Sequence, residues 1–366
     1  MHHSRAGVDK ILLTIVIALL GAGFLIFFSA ALGVLAKSEV KFGNILLSQI
    51  GFGLTLGSVA MYLTSRLKYQ FLRRNAFWIY GITIVLSLLV FVPGLGVEHG
   101  GAKRWVDIGI TTFQPGELLK FGVVVYLATW FTFFKRKIHT SKFGIYPLIC
   151  MLGITGVILL AQRDTGSFLI AAGAGTAIYI VAGAKWRDLL ILVLLGLIGL
   201  GLLAMWRPYV LERFQTLFHH DDFQGKGYQL RQSLIAIGSG EITGKGFGQS
   251  MQKFTYLPEA QGDSVFAVAA EEFGFIGSTL LVILYVLFGL RGLWVAARAP
   301  DVFSGLLAVG LVILIMTQSY INIASMLALA PLTGVPLVFV SHGGTALMVA
   351  MAEVGILLNI SRHRSV

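Results

Sequence analysis

The chain has 366 residues, of which 56% are hydrophobic and only 12% are charged, and its mean hydropathy is +0.83. Soluble domains carry about twice that share of charged residues, roughly 25%, so the composition excludes a soluble globular protein. The net charge of +11 fits basic loops beside anionic lipids better than nucleic acid as a partner. A single cysteine, Cys150, excludes an intrachain disulfide and a cysteine metal cluster.

Ten apolar stretches follow one another along the chain, separated by polar residues, glycine or proline. At roughly 20 apolar residues per bilayer crossing, they predict an all-α polytopic membrane protein with ten transmembrane helices, as one transmembrane domain over residues 1–366. The first stretch is too long for the core of a cleavable signal peptide, so it is predicted to be a retained span. The stretches lie near residues 10–36, 44–65, 76–93, 115–134, 144–162, 167–183, 188–206, 266–290, 302–328 and 342–360.

Lysine and arginine are unequally divided between the two sets of short connections. The set that includes both termini contains sixteen basic residues, and the opposite set contains five, namely Lys37, Lys41, Lys103, Arg104 and Arg163. Because cytoplasmic loops are enriched in basic residues, both termini are predicted to be cytoplasmic. The long loop between helices 7 and 8, residues 207–265, is then extracytoplasmic, as are the loops 94–114 and 329–341.

The long loop contains one segment with helical periodicity. Within residues 228–238, Leu230, Leu234 and Ile237 follow an i, i+4, i+7 pattern, which predicts a short amphipathic helix at the membrane surface. Residues 238–248 are too rich in glycine to form a span.

Ionisable residues within apolar stretches are costly and indicate function by default. Glu117 and Lys120 lie three residues apart in the fourth stretch and can share a helix face, either as a structural ion pair or as part of a site. Glu271 and Glu272 lie at the outer end of the eighth stretch, and Glu353 lies in the tenth.

The long loop ends in a segment with two carboxylates. If Pro258 begins a helical turn that continues, Glu259 and Asp263 lie four residues apart on one face, which suits either a tuned base or an ordinary solvated helix start. Five cations of this loop would suit a phosphate-bearing ligand; they are Arg207, Arg213, Arg231, Lys245 and Lys253.

Two tempting motifs fail on spacing. Gly244 and Lys245 lack the upstream glycine and the following Ser or Thr of a nucleotide-binding loop. The four consecutive residues 219–222, two histidines and two aspartates, lack the usual spacing of zinc ligands and are interpreted as a solvated loop.

Seven segments together resemble the SEDS family (shape, elongation, division and sporulation), over nearly the whole chain. The run QSMQKFTYLPEA at 249–260 is most similar to the division branch of that family. The segments are GAKRWVDIG (101–109), FQPGELLK (113–120), QRDTG (162–166), RPYVLERF (207–214), GYQLRQSLIAIGSG (227–240), KFTYLPE (253–259) and PLTGVP (331–336).

The resemblance implies a peptidoglycan glycosyltransferase of the bacterial cytoplasmic membrane. Such an enzyme polymerises lipid II into β-1,4 glycan strands at the outer face during cell division, alongside a class B penicillin-binding protein and other divisome proteins. The family's essential loop aspartate corresponds to Asp263. The chain departs from the family at Gln261 and Gly262, which replace His-Thr, at Arg163, which replaces proline, and at His342, which replaces tyrosine.

We expect Asp263 to be the general base of an inverting transfer, with positive charge stabilising the pyrophosphate leaving group. That charge would come from side chains or from a divalent cation (Mg²⁺ or Mn²⁺), and no organic cofactor is implied. Two alternatives stay open, namely a lipid II flippase and a noncatalytic divisome scaffold. The residues expected to bind substrate are Glu259, Lys253, Arg207, Arg213, Lys120, Glu117, Arg104, Gln114, Gln162, Asp164 and Gln232.

Overall fold

The computed structural model describes residues 7–99, 101–109, 112–206 and 226–363. In these ranges, eight helices are long and apolar enough to cross a bilayer, and two shorter apolar helices, Ala76–Phe91 and Ile145–Ala161, occupy the third and fifth predicted positions. The chain is therefore an all-α polytopic membrane protein, as predicted. Its α-helices are α1 Lys10–Leu35, α2 Glu39–Leu46, α3 Gly57–Arg66, α4 Gln70–Arg74, α5 Ala76–Leu88, α6 Pro115–Phe133, α7 Ile145–Ala161, α8 Thr165–Gly183, α9 Trp186–Trp206, α10 Lys226–Ser239, α11 Gln252–Thr255, α12 Val265–Ala297, α13 Val302–Met326 and α14 Gly344–Arg362.

Aspartate caps fix where several helices begin, since a carboxylate accepts the N–H groups that a first turn leaves unpaired. Asp9 accepts from Leu12 N at 2.9 Å at the start of α1, and Asp301 accepts from Ser304 N at 3.0 Å at the start of α13. Asp9 also forms an ion pair with Arg291 of α12, at 2.7 Å, so the start of α1 is attached to the end of that helix.

The second span consists of three consecutive helical pieces. A π-helical segment, Leu47–Leu56, joins α2 to α3, and π-helical turns often lie at functional sites. Gly53 and Gly57 of this span face α14, where an added Cβ would meet Leu347 at 3.0 Å and Met351 at 2.7 Å respectively. The absence of side chains at these two glycines therefore permits close helix packing.

The helices divide into a buried centre and an exposed periphery. In the most apolar window of α14, 83% of residues are buried, against 6% in α9. The centre also contains charged and amide side chains, since Glu117, Lys120, Gln318 and Glu353 are each at most 5% exposed. Polar groups at such depth require protein partners, because lipid offers none.

A small antiparallel sheet, which the sequence analysis did not predict, lies in the loop before α6. Its strands are β1 Gly96–His99, β2 Ala102–Asp107 and β3 Thr112–Phe113, in the order β1-β2-β3. On β2, Ala102, Arg104 and Val106 are buried while Lys103 and Asp107 are exposed. This alternation turns Arg104 toward the protein.

Helix α12 is interrupted at Gly274, which has φ 65° and ψ −164°. On either side of the interruption, backbone groups pair with the segment 241–246: Lys245 N donates to Glu271 O at 3.0 Å, and Phe275 N donates to Glu241 O at 2.9 Å. An added Cβ at Gly274 would overlap Gly244 N, so glycine is required here by both φ and contact. This pairing supplies partners for backbone groups that the interrupted helix leaves free.

The amphipathic helix predicted within residues 228–238 is confirmed as α10. Its buried face differs from the predicted one: Leu230, Ser233 and Ala236 are buried, whereas Leu234 and Ile237 are half-buried. Ser233 Oγ donates to Gln229 O at 2.9 Å, which explains how a hydroxyl lies on the packed face. Residues 240–251 form turns, as their glycine content predicts.

Candidate active site

The largest cavity described, about 960 Å³, lies where four segments meet. We call it the main cavity. Its walls are the end of α1 with the turn to α2, the sheet, the segment 257–263 before α12, and the segment before α14. Its ionisable lining residues are Lys37, Lys41, Arg104, Arg163, Lys253, Glu259, Asp263 and His342. This volume is within the range that small-molecule sites usually occupy.

Asp263 belongs to a series of turns, residues 257–264, which we call the Asp263 loop. The predicted helical turn from Pro258 is wrong, because Glu259 has φ +47° and its carbonyl accepts from Gly262 N and Ser264 N at 2.9 and 3.2 Å. Glu259 and Asp263 therefore do not share a helix face. Both nevertheless line the main cavity.

The Asp263 loop is held from three directions. Asn322 of α13 donates to Asp263 O at 2.9 Å and to Val335 O at 2.9 Å. From the segment before α14, Ser341 Oγ donates to Gly262 O at 2.8 Å. From α10, Gln229 Nε2 donates to Ser264 Oγ at 2.9 Å. These bonds fix the position from which the Asp263 side chain extends.

Arg104 and the Asp263 carboxylate flank the same point of the cavity wall. A Cβ placed on Gly334 would lie 3.4 Å from Arg104 Nη1 and 3.4 Å from Asp263 Oδ2. Gly334 also has φ +72°, a conformation that glycine adopts without strain. The glycine of the PLTGVP segment thus leaves room for a guanidinium and a carboxylate to approach each other.

Arg104 is oriented by Arg163, which also lines the main cavity, and by Asp164, which does not. Its Nη2 donates to Arg163 O at 2.5 Å, and its Nη1 lies 3.8 Å from Asp164 Oδ1. Asp164 also caps α8, accepting from Ser167 N at 3.1 Å. Burial raises the pKa of Asp164, but Arg104 and the Ser167 hydrogen bonds outweigh burial and hold that pKa below its usual value, so the carboxylate stays charged.

The two glutamines predicted in this region have different roles. Gln114 lines the main cavity, and its Nε2 lies 3.4 Å from Asp164 Oδ2. Gln162 is buried away from the main cavity, where its Nε2 donates to Ser87 O at 2.8 Å. The structure therefore gives Gln162 a packing role between helices.

Glu117 and Lys120 form an ion pair beneath the main cavity. Lys120 Nζ donates to Glu117 Oε1 at 2.9 Å and to Gln318 Oε1 at 2.5 Å. With Glu353 they line a space of about 10 Å³, enough for about one water. Ala346 borders both spaces, so the pair lies one side chain away from the main cavity and does not line it.

Lys253 borders the main cavity, but its ammonium is directed elsewhere. Nζ donates to Glu272 Oε1 at 2.6 Å, to Ser29 Oγ at 2.8 Å and to Gly248 O at 2.9 Å. Its side chain has no exposed area. Lys245 is likewise paired with Glu271, at 2.7 Å. These two loop lysines therefore attach the loop to α12. The Lys253 ammonium is buried and fully engaged, and Lys245 is partly exposed but does not line the main cavity.

Gln232, Arg207 and Arg213 complete the predicted set. Gln232 lies on α10 and is absent from the lining of the main cavity, where its neighbour Gln229 contacts the Asp263 loop instead. Arg207 and Arg213 lie outside the described residues.

Four ionisable lining residues were missed by sequence reasoning as site residues, namely Lys37, Lys41, Arg163 and His342. The lysines had been counted on the outer side, which was a usable signal. His342 stacks on Phe27 with ring centroids 6.2 Å apart, and its backbone N donates to Gln261 O at 2.7 Å. Burial lowers the pKa of His342 to about 4, so its imidazole is neutral near pH 7.

Known proteins resemble this chain over nearly its full length. A family model described as a cell cycle protein, and named for FtsW, RodA and SpoVE, matches residues 10–366. Stage V sporulation protein E of Bacillus subtilis is 33% identical over 99% of both chains. A probable peptidoglycan glycosyltransferase FtsW of Geobacter metallireducens is 35% identical over 96% of this chain and 94% of its own.

Solved structures show the same architecture. A chain from a study of how a peptidoglycan synthase complex coordinates polymerization and crosslinking matches with a TM-score of 0.78 and 28% identity, over 98% of both chains. The rod shape determining protein RodA of Thermus thermophilus matches with a TM-score of 0.70 and 27% identity, over 98% of this chain and 97% of its own.

Proposed function

Since the chain belongs to the FtsW/RodA/SpoVE family of cell cycle proteins, we propose that it is an inverting peptidoglycan glycosyltransferase that polymerises lipid II. The observation that carries the role of Asp263 is the geometry of its loop. Residues of α10, α13 and the segment before α14 hold that loop, and the carboxylate lies near Arg104 at the wall of the main cavity. A catalytic base must be held in place in this way by its surroundings.

In the proposed reaction, Asp263 takes the proton from the 4-hydroxyl of the acceptor sugar. The hydroxyl oxygen attacks the anomeric carbon of the donor, and the bond from that carbon to the pyrophosphate oxygen breaks. The electron pair leaves with the polyprenyl pyrophosphate. One displacement converts an α-linked donor into a β-1,4 product, so no covalent glycosyl-enzyme is required.

The leaving group needs positive charge more than it needs a proton, because pyrophosphate is a stable anion. Arg104 and Arg163 bring guanidinium groups to the main cavity, and such groups stabilise phosphate oxygens. If Mg²⁺ or Mn²⁺ takes part, Glu259 and Asp263 are the carboxylates that line the cavity, and either would share the ion with substrate phosphates. Such an ion would supply further charge to the leaving group.

The setting in a membrane suits a substrate with a lipid tail. We place both termini in the cytoplasm, which puts the main cavity at the outer face, where the headgroup enters while the tail stays in the bilayer. A class B penicillin-binding protein would crosslink the strands, as the likeness to a chain of a peptidoglycan synthase complex supports. The run at 249–260 supports a role in division with other divisome proteins.

The alternatives predict different outcomes for one substitution. We expect Asp263→Asn to leave a folded protein whose lipid II polymerisation falls by about 10²- to 10⁴-fold, the usual contribution of a positioned base. Reconstituted protein, with its class B partner, would be supplied with lipid II and the glycan products separated by length.

Asp107→Asn is the matched control, since Asp107 is exposed on β2 and does not line the main cavity. Normal strand synthesis by Asp263→Asn would remove Asp263 from the mechanism. If the unmodified protein moved lipid II across the bilayer without making strands, it would be identified as a flippase. If it showed neither activity, the scaffold alternative would remain.

A further inference from the structure

We propose that Lys37 and Lys41 bind the pyrophosphate of the lipid-linked donor, which makes the turn between α1 and α2 a substrate-binding element. This inference rests on the proposed function, since it assigns part of the same substrate to the same cavity. Both lysines line the main cavity together with Val34, Ser38 and Ile45. One short segment therefore presents two cations and two apolar side chains to the same cavity.

The other lining cations already have partners within the protein. Lys253 is paired with Glu272, Arg104 donates to Arg163 O and lies near Asp164, and Arg163 Nη1 donates to Gly101 O at 2.7 Å. Among the described residues, neither Lys37 nor Lys41 has a hydrogen bond or ion pair from its ammonium. These two ammonium groups can thus exchange water for an incoming anion without breaking a bond within the protein, and the remaining N–H groups of Arg104 and Arg163 can add to their charge.

The turn also lies at the depth where a lipid pyrophosphate must lie. Leu35, Val40 and Leu47 flank it and are exposed by 38%, 75% and 53%, as apolar side chains are when they face lipid. Lysines at the ends of such segments extend to the bilayer surface. The pyrophosphate is bonded directly to the polyprenyl tail, whereas the carboxylates of the stem peptide lie beyond the sugars, farther from the bilayer.

Two ammonium groups at this position account both for the affinity for the pyrophosphate and for its discrimination from a monophosphate. An ammonium donates charge-assisted hydrogen bonds to phosphate oxygens, and it senses the number of negative charges it faces. A polyprenyl pyrophosphate should therefore bind more tightly than the corresponding monophosphate. The product of each transfer is itself a polyprenyl pyrophosphate, so it should compete with the donor at the same lysines.

The test compares the variant Lys37→Gln/Lys41→Gln with the unmodified protein in complex with its class B partner. We expect the KM for lipid II to rise about tenfold or more, and inhibition by polyprenyl pyrophosphate to weaken by a similar factor. Inhibition by polyprenyl monophosphate should change little. Lys37→Arg/Lys41→Arg keeps both charges and should restore both values. Lys10→Gln/Lys68→Gln is the matched control, since both of its lysines are exposed and lie outside the main cavity.

A second substrate separates the pyrophosphate from the stem peptide. Lipid II with amidated peptide carboxylates should show the same rise in KM in the glutamine variant, and loss of that rise would assign the lysines to the peptide and overturn the proposal. Unchanged KM and unchanged product inhibition would also overturn it. The affinity for polyprenyl pyrophosphate would also be measured without turnover, so that the effect of the lysines on binding is tested separately from catalysis. A variant that polymerises normally while Asp263→Asn does not would refute this inference and leave the proposed function intact.

Discussion

Gly334 lies where any side chain would contact both charged groups of the site. We expect Gly334→Ala to reduce polymerisation at least about tenfold, because its methyl group would contact Arg104 Nη1 and Asp263 Oδ2 and exclude water or substrate from the space beside groups that must be placed within about 0.5 Å. The left-handed backbone alone costs about 1 kcal/mol. Strand synthesis and the thermal unfolding midpoint would be measured together.

Gly94→Ala separates backbone strain from the contact. Gly94 has φ +85°, but an added Cβ there meets nothing within 4 Å. The two variants should therefore lose similar stability, while only Gly334→Ala loses activity. Equal activity in both would show that the space beside Asp263 does not matter.

His342 is a neutral, half-buried histidine in the wall of the main cavity. Its pKa falls from an ordinary 6.5 to about 4 through burial, so between these values the unfolded chain binds a proton that the folded chain does not. Stability must therefore fall as the pH falls from about 6.5 to about 4, by up to about 3 kcal/mol. Nε2 has no hydrogen-bond partner in the described ranges, so replacement of the ring loses no bond.

His342→Phe should consequently remove this part of the acid sensitivity and keep the stacking on Phe27. Thermal unfolding midpoints at pH 7 and pH 5 would measure the effect in detergent. His139→Phe serves as the comparison, because His139 is exposed and should leave the pH dependence as it is. If the unfolding midpoint of His342→Phe changes between pH 7 and pH 5 as much as that of the unmodified protein, the assignment is wrong.

At the scale of elements, the attachment of the loop to α12 depends on the buried pair of Lys253 and Glu272. Removal of one partner leaves a buried unpaired charge, which typically costs 3–5 kcal/mol, whereas removal of both is often much cheaper. We therefore expect Glu272→Met and Lys253→Met to lower the unfolding midpoint strongly, and the double variant to recover most of that loss.

A double-mutant cycle on the unfolding midpoint would measure this coupling. Additive losses would show that the two side chains act separately. Polymerisation should fall with each single variant and recover in part with the double variant, because Lys253 acts through the position of the loop and not through contact with substrate.

Sequence reasoning located the apolar helices and α10, but neither the small sheet nor the interruption in α12. Each apolar stretch can be recognised from its composition. Strands β1 and β2 are only four and six residues long and contain charged residues, so no pattern in the sequence predicts them. The interruption at Gly274 lies inside the eighth apolar stretch, two residues after Glu272. Its cause is the approach of Gly244, a contact between residues 30 positions apart that no local pattern reports.

For the molecule as a whole, sequence reasoning found the carboxylate proposed as the base but not the groups that surround it. Asp263 and Glu259 were found from spacing and family resemblance, and both line the main cavity. Lys253 and Lys120 were predicted as ligands because they are cations, yet each has a buried carboxylate partner. Ion pairs between distant residues form only in the folded chain. A count of charges along the sequence therefore cannot distinguish a lysine that is paired with a carboxylate from one that can bind a ligand.

The pairing of the segment 241–246 with the interruption in α12 closes the intervening chain into a ring. Both ends of this ring are attached to the same part of α12, and Asp263 lies in the segment between them. A protease cut at the exposed residues 254–256 would thus open the ring without releasing either new end. The Asp263 loop would stay attached to α12 on the N-terminal side of Gly274.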